Sequence, residues 1–222
     1  MEPETFYHIY NRGNNQLPLY FTRENYLYFL RKAEKYLLPH VDLIAYCLMP
    51  NHFHLLVFSR TNMQGRDFSN DLRVMLRSYT RAINNQEKRT GSLFQQHTKI
   101  KPLEGMDNSH GMTTGDDDNY PFTCFHYIHQ NPMKAGLVKR MEDWEMSSFR
   151  DFAGLRNESL CNKKLACELL EVPESYDLFV EQSYKVFDSG TMSSSSHIIT
   201  QDSMTKSDSV TGRRDNANTD NT

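Results

Sequence analysis

The first hundred residues alternate between segments with two hydrophobic periods, two residues for strands and about 3.6 for helices. In 22–38, Tyr26, Phe29 and Ala33 recur at helical spacing, and Thr22 stands where an N-cap is expected. Short apolar runs bounded by turn residues favour strands elsewhere. The predicted elements, in chain order, are a strand over 5–13, a helix over 22–38, strands over 41–49 and 52–59, a helix over 66–89 and a strand over 92–103.

The order strand, helix, strand, strand, helix, strand predicts the fold class. It is the order of the ferredoxin-like α+β fold, in which both helices pack on one face of an antiparallel sheet. Only Pro50 and Asn51 separate the second strand from the third, so these two should pair as a hairpin. The other face of the sheet is then left open, as a ligand site on that face would require.

The remaining chain divides by composition. Segment 104–120 has the composition of a surface loop and carries five acidic residues and no basic ones. Helices are expected over 121–137, with Gly136 as a stop, and over about 160–171. We therefore predict a first domain over 1–153 that contains the acidic loop insert, a helical extension over 154–187 and a disordered tail, rich in Ser, Thr, Asp and Asn, over 188–222.

Composition limits the classes of function. The formal net charge of −3 hides an uneven distribution, because the acidic residues are concentrated in the insert and the tail and the rest is mildly basic. That balance permits a polyanionic partner without requiring one. Four cysteines lack Cys-x-x-Cys spacing, which argues against a zinc knuckle or a disulfide framework. No signal peptide is evident and no run reaches the roughly 18 apolar residues of a membrane span, so a soluble intracellular protein is expected.

The third strand, HFHLLVFS, carries two histidines where apolar residues are expected. Because side chains alternate along a strand, His52 and His54 leave from the same face and can share a metal ion. Metallo-β-lactamases, TIM-barrel hydrolases and cupins also use such a pair, but the ligand spacings, chain length or fold that they need are missing here. The alternative, left open, is a pair of hydrogen-bonded strand histidines.

The group HYIHQNP, in the helix predicted over 121–137, contains Tyr127 and Asn131, which lie one helical turn apart on one face. A tyrosine can attack a phosphodiester, and an amide oxygen can complete a metal site of two imidazoles that suits Mg²⁺ or Mn²⁺. Pro132 is expected to disturb the helix at Asn131. The alternative is a core aromatic at Tyr127 and a C-terminal cap at Asn131.

Other side chains near this group are given lesser roles. Tyr79 falls on the apolar stripe of its helix, so we interpret it as a core residue and not as a rival nucleophile. We expect His126 to be an exposed helix residue and His129 to point away from the site. No role is assigned to His8.

Four separated segments together resemble the HUH single-tyrosine transposases, a family named for the sequence His, hydrophobic, His. They are MPNHFHLLV, GSLFQQHTKIK, YIHQNPMKAGLV and DWEMSSFRDF, and the resemblance runs from about residue 5 to 153. The resemblance is strongest to the REP-associated tyrosine transposases and the related insertion-sequence transposases. It implies a ferredoxin-like nuclease domain that cuts single-stranded DNA beside a hairpin, forms a 5′-phosphotyrosine and transfers the strand.

By the same resemblance, His52, His54 and Asn131 are ligands of a divalent metal, Mg²⁺ or Mn²⁺, and Tyr127 is the nucleophile. The expected partner is single-stranded or hairpin DNA, and the expected location is the nucleoid in the cytoplasm of a bacterium, with no membrane association. The sequence leaves open whether the protein is a monomer or a homodimer, and whether the tyrosine serves its own subunit.

Basic residues predict where DNA is held. Between residues 73 and 101 the chain has seven basic residues and one acidic residue. Such a cluster can hold phosphates, although a solvated helix face is an equally good interpretation of any single arginine. Phe94 is expected in the core in preference to a base-stacking role. The DNA-binding candidates are Arg12, Arg73, Arg77, Arg81, Lys99 and Lys101.

Two alternative functions remain at this stage. The first is a domesticated protein that binds hairpin DNA without cutting it. The second is a metallonuclease that uses water in place of the tyrosine. A protein–DNA band that resists denaturation would indicate the tyrosine mechanism, free DNA ends alone would indicate the hydrolase, and neither product would indicate the binding protein.

Overall fold

Four antiparallel strands form one sheet in the order β2-β3-β1-β4. The computed structural model describes residues 1–62, 64–103, 120–157 and 159–192. The chain order of the first six elements and the order of the strands are those of the predicted ferredoxin-like α+β fold. These elements are β1 (Phe6–Arg12), α1 (Arg23–Tyr36), β2 (Val41–Met49), β3 (His52–Ser59), α2 (Gly65–Gln86) and β4 (Lys99–Pro102).

One face of the sheet packs against α1 and α2 and forms the main core. Phe53 of β3 contacts Phe29 of α1, with ring centroids 5.0 Å apart, and Phe29 contacts Tyr79 of α2 at 5.2 Å. The Tyr79 hydroxyl is fully buried and donates to the Leu19 carbonyl at 2.9 Å. Phe94 is also buried here. The core positions predicted for Tyr79 and Phe94 are therefore confirmed.

The fourth strand is shorter than the predicted 92–103, since only Lys99–Pro102 pairs with β1. Phe94 makes an isolated bridge to Gly13, and His97 takes a left-handed conformation with φ 59° that interrupts an extended chain. The Asn11 side chain donates to the Gln95 carbonyl and the Thr98 hydroxyl. The prediction was therefore wrong for 92–98. Side-chain hydrogen bonds, and not strand pairing, hold this segment in place.

The face opposite α1 and α2 is covered in part by α3 (Tyr120–Lys134), which packs on β2 and β3. Pro132 lies inside α3, where it was expected to disturb the helix. It removes only the donor to the Ile128 carbonyl, close to the end of the helix, so the helix continues to Lys134. Gly136 then takes φ 69° and the Leu137 amide bonds to the Pro132 carbonyl, which confirms the predicted stop.

The segment after α3 packs back on the same unit, Met1–Phe187. The Trp144 indole donates to the Leu48 carbonyl at 3.1 Å, and Phe149 and Phe152 are buried against Phe179. The helices here are α4 (Phe149–Phe152), α5 (Lys163–Leu170) and α6 (Tyr176–Met192), and two 3-10 turns occupy Asn14–Gln16 and Met141–Asp143.

The proposed boundaries at 153 and 187 stay predictions. The insert at 104–120, apart from Tyr120, and the tail beyond Met192 lie outside the described residues. All four cysteines are free thiols. Within the described ranges, no helix has the length and apolar character that a bilayer crossing needs.

Candidate active site

The strand register decides which side chains share the face beneath α3. Tyr10 of β1 lies opposite His54 of β3, and Arg12 lies opposite His52. Residues directly opposite one another in an antiparallel pair point to the same side of the sheet. Tyr10 and Arg12 therefore join the two histidines on one face, which is the face that α3 covers.

The two histidines of β3 lie close together with their rings nearly perpendicular. Their centroids are 5.1 Å apart at an interplanar angle of 88°. His54 is buried and His52 is half-buried. The His52 Nδ1 atom lies 2.7 Å from the Asn51 Oδ1 atom, and because an amide oxygen can only accept, Nδ1 carries the proton. The His52 Nε2 atom is thereby left with a lone pair.

Tyr127 of α3 contacts this pair, and Asn131 follows it one helical turn later. The Tyr127 ring lies 5.8 Å from the His54 ring, edge to face, within the same chain. The Asn131 amide nitrogen donates to the Tyr127 carbonyl at 2.8 Å, one helical turn away. The Lys134 ammonium lies 5.7 Å from the Tyr127 ring, on the next turn. The structure thus brings Tyr127 to the pair of histidines, and Asn131 lies one helical turn after Tyr127.

Burial keeps the groups of this site neutral. It raises the pKa of Tyr127 to about 12, with a hydrogen bond from Asn131 acting in the opposite direction. It lowers the pKa of His52 to about 4, helped by the charge of Arg12, and it lowers the pKa of His54 well below the ordinary value. Both imidazoles are therefore uncharged at neutral pH and have lone pairs to offer, whereas the phenol needs assistance to act as a nucleophile.

Two neutral imidazoles and one amide oxygen are donor types that suit a divalent cation. Neutral imidazole is a common metal ligand, and the Asn131 amide directs its nitrogen to the Tyr127 carbonyl, which leaves its oxygen as a donor. Among the described residues, no three His, Cys, Asp or Glu side chains form a group that could hold a metal ion. The amide oxygen of Asn131 is the third donor that the sequence analysis selected.

His8, to which the sequence analysis gave no role, is part of this site. It is buried on β1, and its Nε2 atom lies 2.9 Å from the His54 Nδ1 atom. The signal in the sequence was the alternation His8, Tyr10, Arg12 along one strand face. Using it required the pairing of β1 with β3, which residues distant in sequence determine.

Two histidines that flank the tyrosine in sequence lie on the far side of α3. His126 is fully buried, which corrects the expectation of an exposed helix residue. Its ring packs edge to face on Phe122 and Phe125, in the layer between α3 and α6. His129 points away from the sheet as expected, and its Nε2 atom lies 2.8 Å from the Ser148 hydroxyl.

The predicted DNA-binding residues divide between the two faces of the sheet. Lys99 lies opposite Tyr10 and Lys101 lies opposite His8, so both join Arg12 on the face of the histidines. The α2 arginines are exposed on the other side of β4. There they line a groove of about 1090 Å³ together with Asn11 and Phe94; these arginines are Arg73, Arg77 and Arg81.

Fold and site together define an α+β protein of ferredoxin-like topology that presents a His-hydrophobic-His strand to a helix-borne tyrosine. No protein-family model matches the chain, and no curated protein sequence is similar to it. Among solved structures, the chain is similar to a REP-associated tyrosine transposase bound to a REP hairpin, with 19% identity and a TM-score of 0.49. That comparison covers 72% of this chain and 85% of the other.

Proposed function

We propose that the protein is a metal-dependent endonuclease and strand transferase that acts on single-stranded DNA near hairpins. The observation that carries the proposal is the position of the Tyr127 ring, 5.8 Å from His54 and one turn before Asn131. A phenol beside two neutral imidazoles, with an amide one helical turn away, is a set of groups suited to phosphodiester chemistry. This supports the resemblance that the four sequence motifs indicate.

In the proposed reaction, the Tyr127 oxygen attacks the phosphorus atom of a phosphodiester. A bond forms between this oxygen and phosphorus, the bond from phosphorus to the 3′-oxygen breaks, and the DNA is left with a 5′-phosphotyrosine and a 3′-hydroxyl. The phenol proton is lost and the departing oxygen gains one, so charge balances. Attack of a 3′-hydroxyl on the phosphotyrosine reverses these steps and joins a new strand without an external energy source.

His52, His54 and Asn131 would hold the cation, Mg²⁺ or Mn²⁺. When bound, such an ion supplies Lewis acidity, which polarises the phosphate and offsets the negative charge of the leaving oxygen. Arg12, Lys99 and Lys101 lie on the same face and would contact the phosphates that flank the cleaved bond. Arg73, Arg77 and Arg81 would hold a second DNA segment, since they lie on the other side of β4.

The first test is formation of a covalent adduct. End-labelled hairpins with single-stranded flanks, taken from the genomic surroundings of the gene, are incubated with the protein and Mn²⁺ and separated on a denaturing gel. The wild type should give a protein–DNA band, and Tyr127→Phe should give none while binding the hairpin normally. The matched control Tyr176→Phe, at an exposed tyrosine of α6, should give the band.

The outcomes separate the candidate functions. An adduct that persists in Tyr127→Phe would exclude Tyr127 as the nucleophile. Free DNA ends without an adduct would indicate a hydrolytic nuclease, and tight hairpin binding without any cleavage would indicate a DNA-binding protein. The same gel therefore either supports the proposed function or shows which alternative function should replace it.

A further inference from the structure

His8 and His54 form a buried pair between the sheet and α3. They have 4% and 5% of their surfaces exposed, and their rings stack with centroids 5.0 Å apart. The His8 Nε2 atom lies 2.9 Å from the His54 Nδ1 atom. Because two lone pairs at that distance would repel, one of the two nitrogens carries a proton and donates it to the other.

The direction of this hydrogen bond decides whether His54 can bind a cation. If the His54 Nδ1 atom donates, its Nε2 atom keeps a lone pair. If the His8 Nε2 atom donates, the neutral His54 ring carries its proton on Nε2, and neither of its nitrogens has a free lone pair. His8 therefore has the position to select the tautomer of its neighbour.

His52 already has the hydrogen bond that a histidine ligand of a metal ion requires. Its Nδ1 atom is bound to the Asn51 amide oxygen at 2.7 Å, so its lone pair is on Nε2. Metal-binding histidines usually donate their second ring nitrogen to an acceptor, which fixes both the tautomer and the ring orientation. Asn51 supplies that acceptor to His52, and His8 occupies the corresponding position beside His54.

We propose that His8 is a positioning residue that accepts a hydrogen bond from the His54 Nδ1 atom and so keeps the His54 Nε2 atom free to bind a divalent cation. The inference rests on the proposed function, because it assumes that His54 is a ligand. His8 does not itself join the ligand set. Among the described residues, the three neighbouring histidines do not form a group that could hold an ion.

The first experiment reads the tautomer in the metal-free protein. Protein labelled with ¹⁵N at histidine is studied by long-range ¹H–¹⁵N correlation NMR, with His54→Gln to assign the signals. The wild type should show a protonated Nδ1 and an unprotonated Nε2 at His54. On addition of Zn²⁺, the Nε2 signals of His52 and His54 should move, and the His8 ring signals should not show direct metal binding.

The second experiment measures Mn²⁺ affinity by calorimetry in two variants. His8→Leu removes the acceptor and should weaken binding by about 10- to 100-fold, the usual effect of losing a hydrogen bond to a metal ligand. His8→Gln places an amide oxygen near the position of Nε2 and should restore most of the affinity. His40→Gln is the control, because His40 bonds to Asp71 outside the site and its loss should not change the affinity.

His8→Gln keeps the test valid if His8→Leu fails to fold, since it retains a polar group at the position. The inference is overturned if His54 carries its proton on Nε2, if His8 binds Zn²⁺ directly, or if His8→Leu binds Mn²⁺ as tightly as the wild type. A wild type that binds no Mn²⁺ would overturn the metal site and this inference together. Absence of a DNA adduct alongside the expected tautomer and affinity would count against the nucleophile alone.

Discussion

At the scale of single residues, the site depends on hydrogen bonds that fix which atom of each side chain is available. Asn51 fixes the tautomer of His52, and the Asn131 amide nitrogen is held by the Tyr127 carbonyl. These bonds use His52 Nδ1 and the Asn131 nitrogen, so the other polar atom of each side chain, His52 Nε2 and the Asn131 oxygen, has a lone pair to offer. The chemistry of the pair of histidines is thus set by neighbours that carry no reactive group themselves.

Replacing Asn131 tests the third ligand. Asn131→Leu keeps a similar volume but removes the amide oxygen, so we expect Mn²⁺ affinity to fall by at least about tenfold, as for a lost donor in a three-donor site. Asn131→Asp places a carboxylate oxygen at the same position and should retain or increase the affinity. Calorimetric titration with Mn²⁺ measures both, and equal affinity in Asn131→Leu and the wild type would remove Asn131 from the ligand set.

At the scale of elements, the edge strand β4 separates two basic surfaces. Lys99 and Lys101 point to the face of the histidines because they lie opposite Tyr10 and His8, whereas Ile100 points to the other face. Two lysines two residues apart therefore belong to the candidate active site. The arginines of α2, only slightly earlier in the chain, line a different groove.

The groove on α2 predicts a salt-dependent contribution to DNA binding. Replacing Arg73 and Arg77 by alanine should weaken binding of a hairpin and reduce the slope of log affinity against log salt by about 1.8 if both contact duplex phosphates. The pair Arg31→Ala and Lys35→Ala on α1 removes the same charge elsewhere and serves as the control. Fluorescence anisotropy at several salt concentrations gives the slopes, and identical slopes in the two double variants would contradict a role for the groove.

At the scale of the whole molecule, buried neutral histidines make stability depend on pH. His126 and His129 lie between α3 and α6, and burial lowers the pKa of His126 to about 4 and that of His129 well below its ordinary value. The unfolded chain takes up these protons near pH 6.5, whereas the folded protein does not. Their effect is thus to favour unfolding progressively as the pH falls from about 6.5 towards 4.

The free energy of unfolding should therefore fall between pH 7 and pH 5. At pH 5, the pH is about 1.5 units below the pKa of His126 in the unfolded chain. His126 alone should therefore lower the free energy of unfolding by about 2 kcal/mol. Urea unfolding followed by circular dichroism measures the change. His126→Phe should reduce the fall by about that amount, and a free energy that is constant over this pH range in the wild type would contradict the buried neutral state of these histidines.

Local sequence patterns were enough to predict the first six elements and their order. Local periodicity located α1, β2 and β3 to within a few residues, because each has a continuous apolar pattern and a clear break at its ends. Residue spacing alone also predicted that His52 and His54 share a strand face and that Tyr127 and Asn131 share a helix face. These inferences need no contact between distant parts of the chain.

Packing between distant segments of the chain determines which of these faces meet. The position of α3 across β2 and β3 brings Tyr127 to His54, and the register of β1 against β3 brings His8 to the same ring. The burial of His126 and the division of the basic residues across β4 depend on the same packing. Register and packing arise from interactions between residues tens of positions apart, and a one-residue shift in a strand would move every side chain to the opposite face.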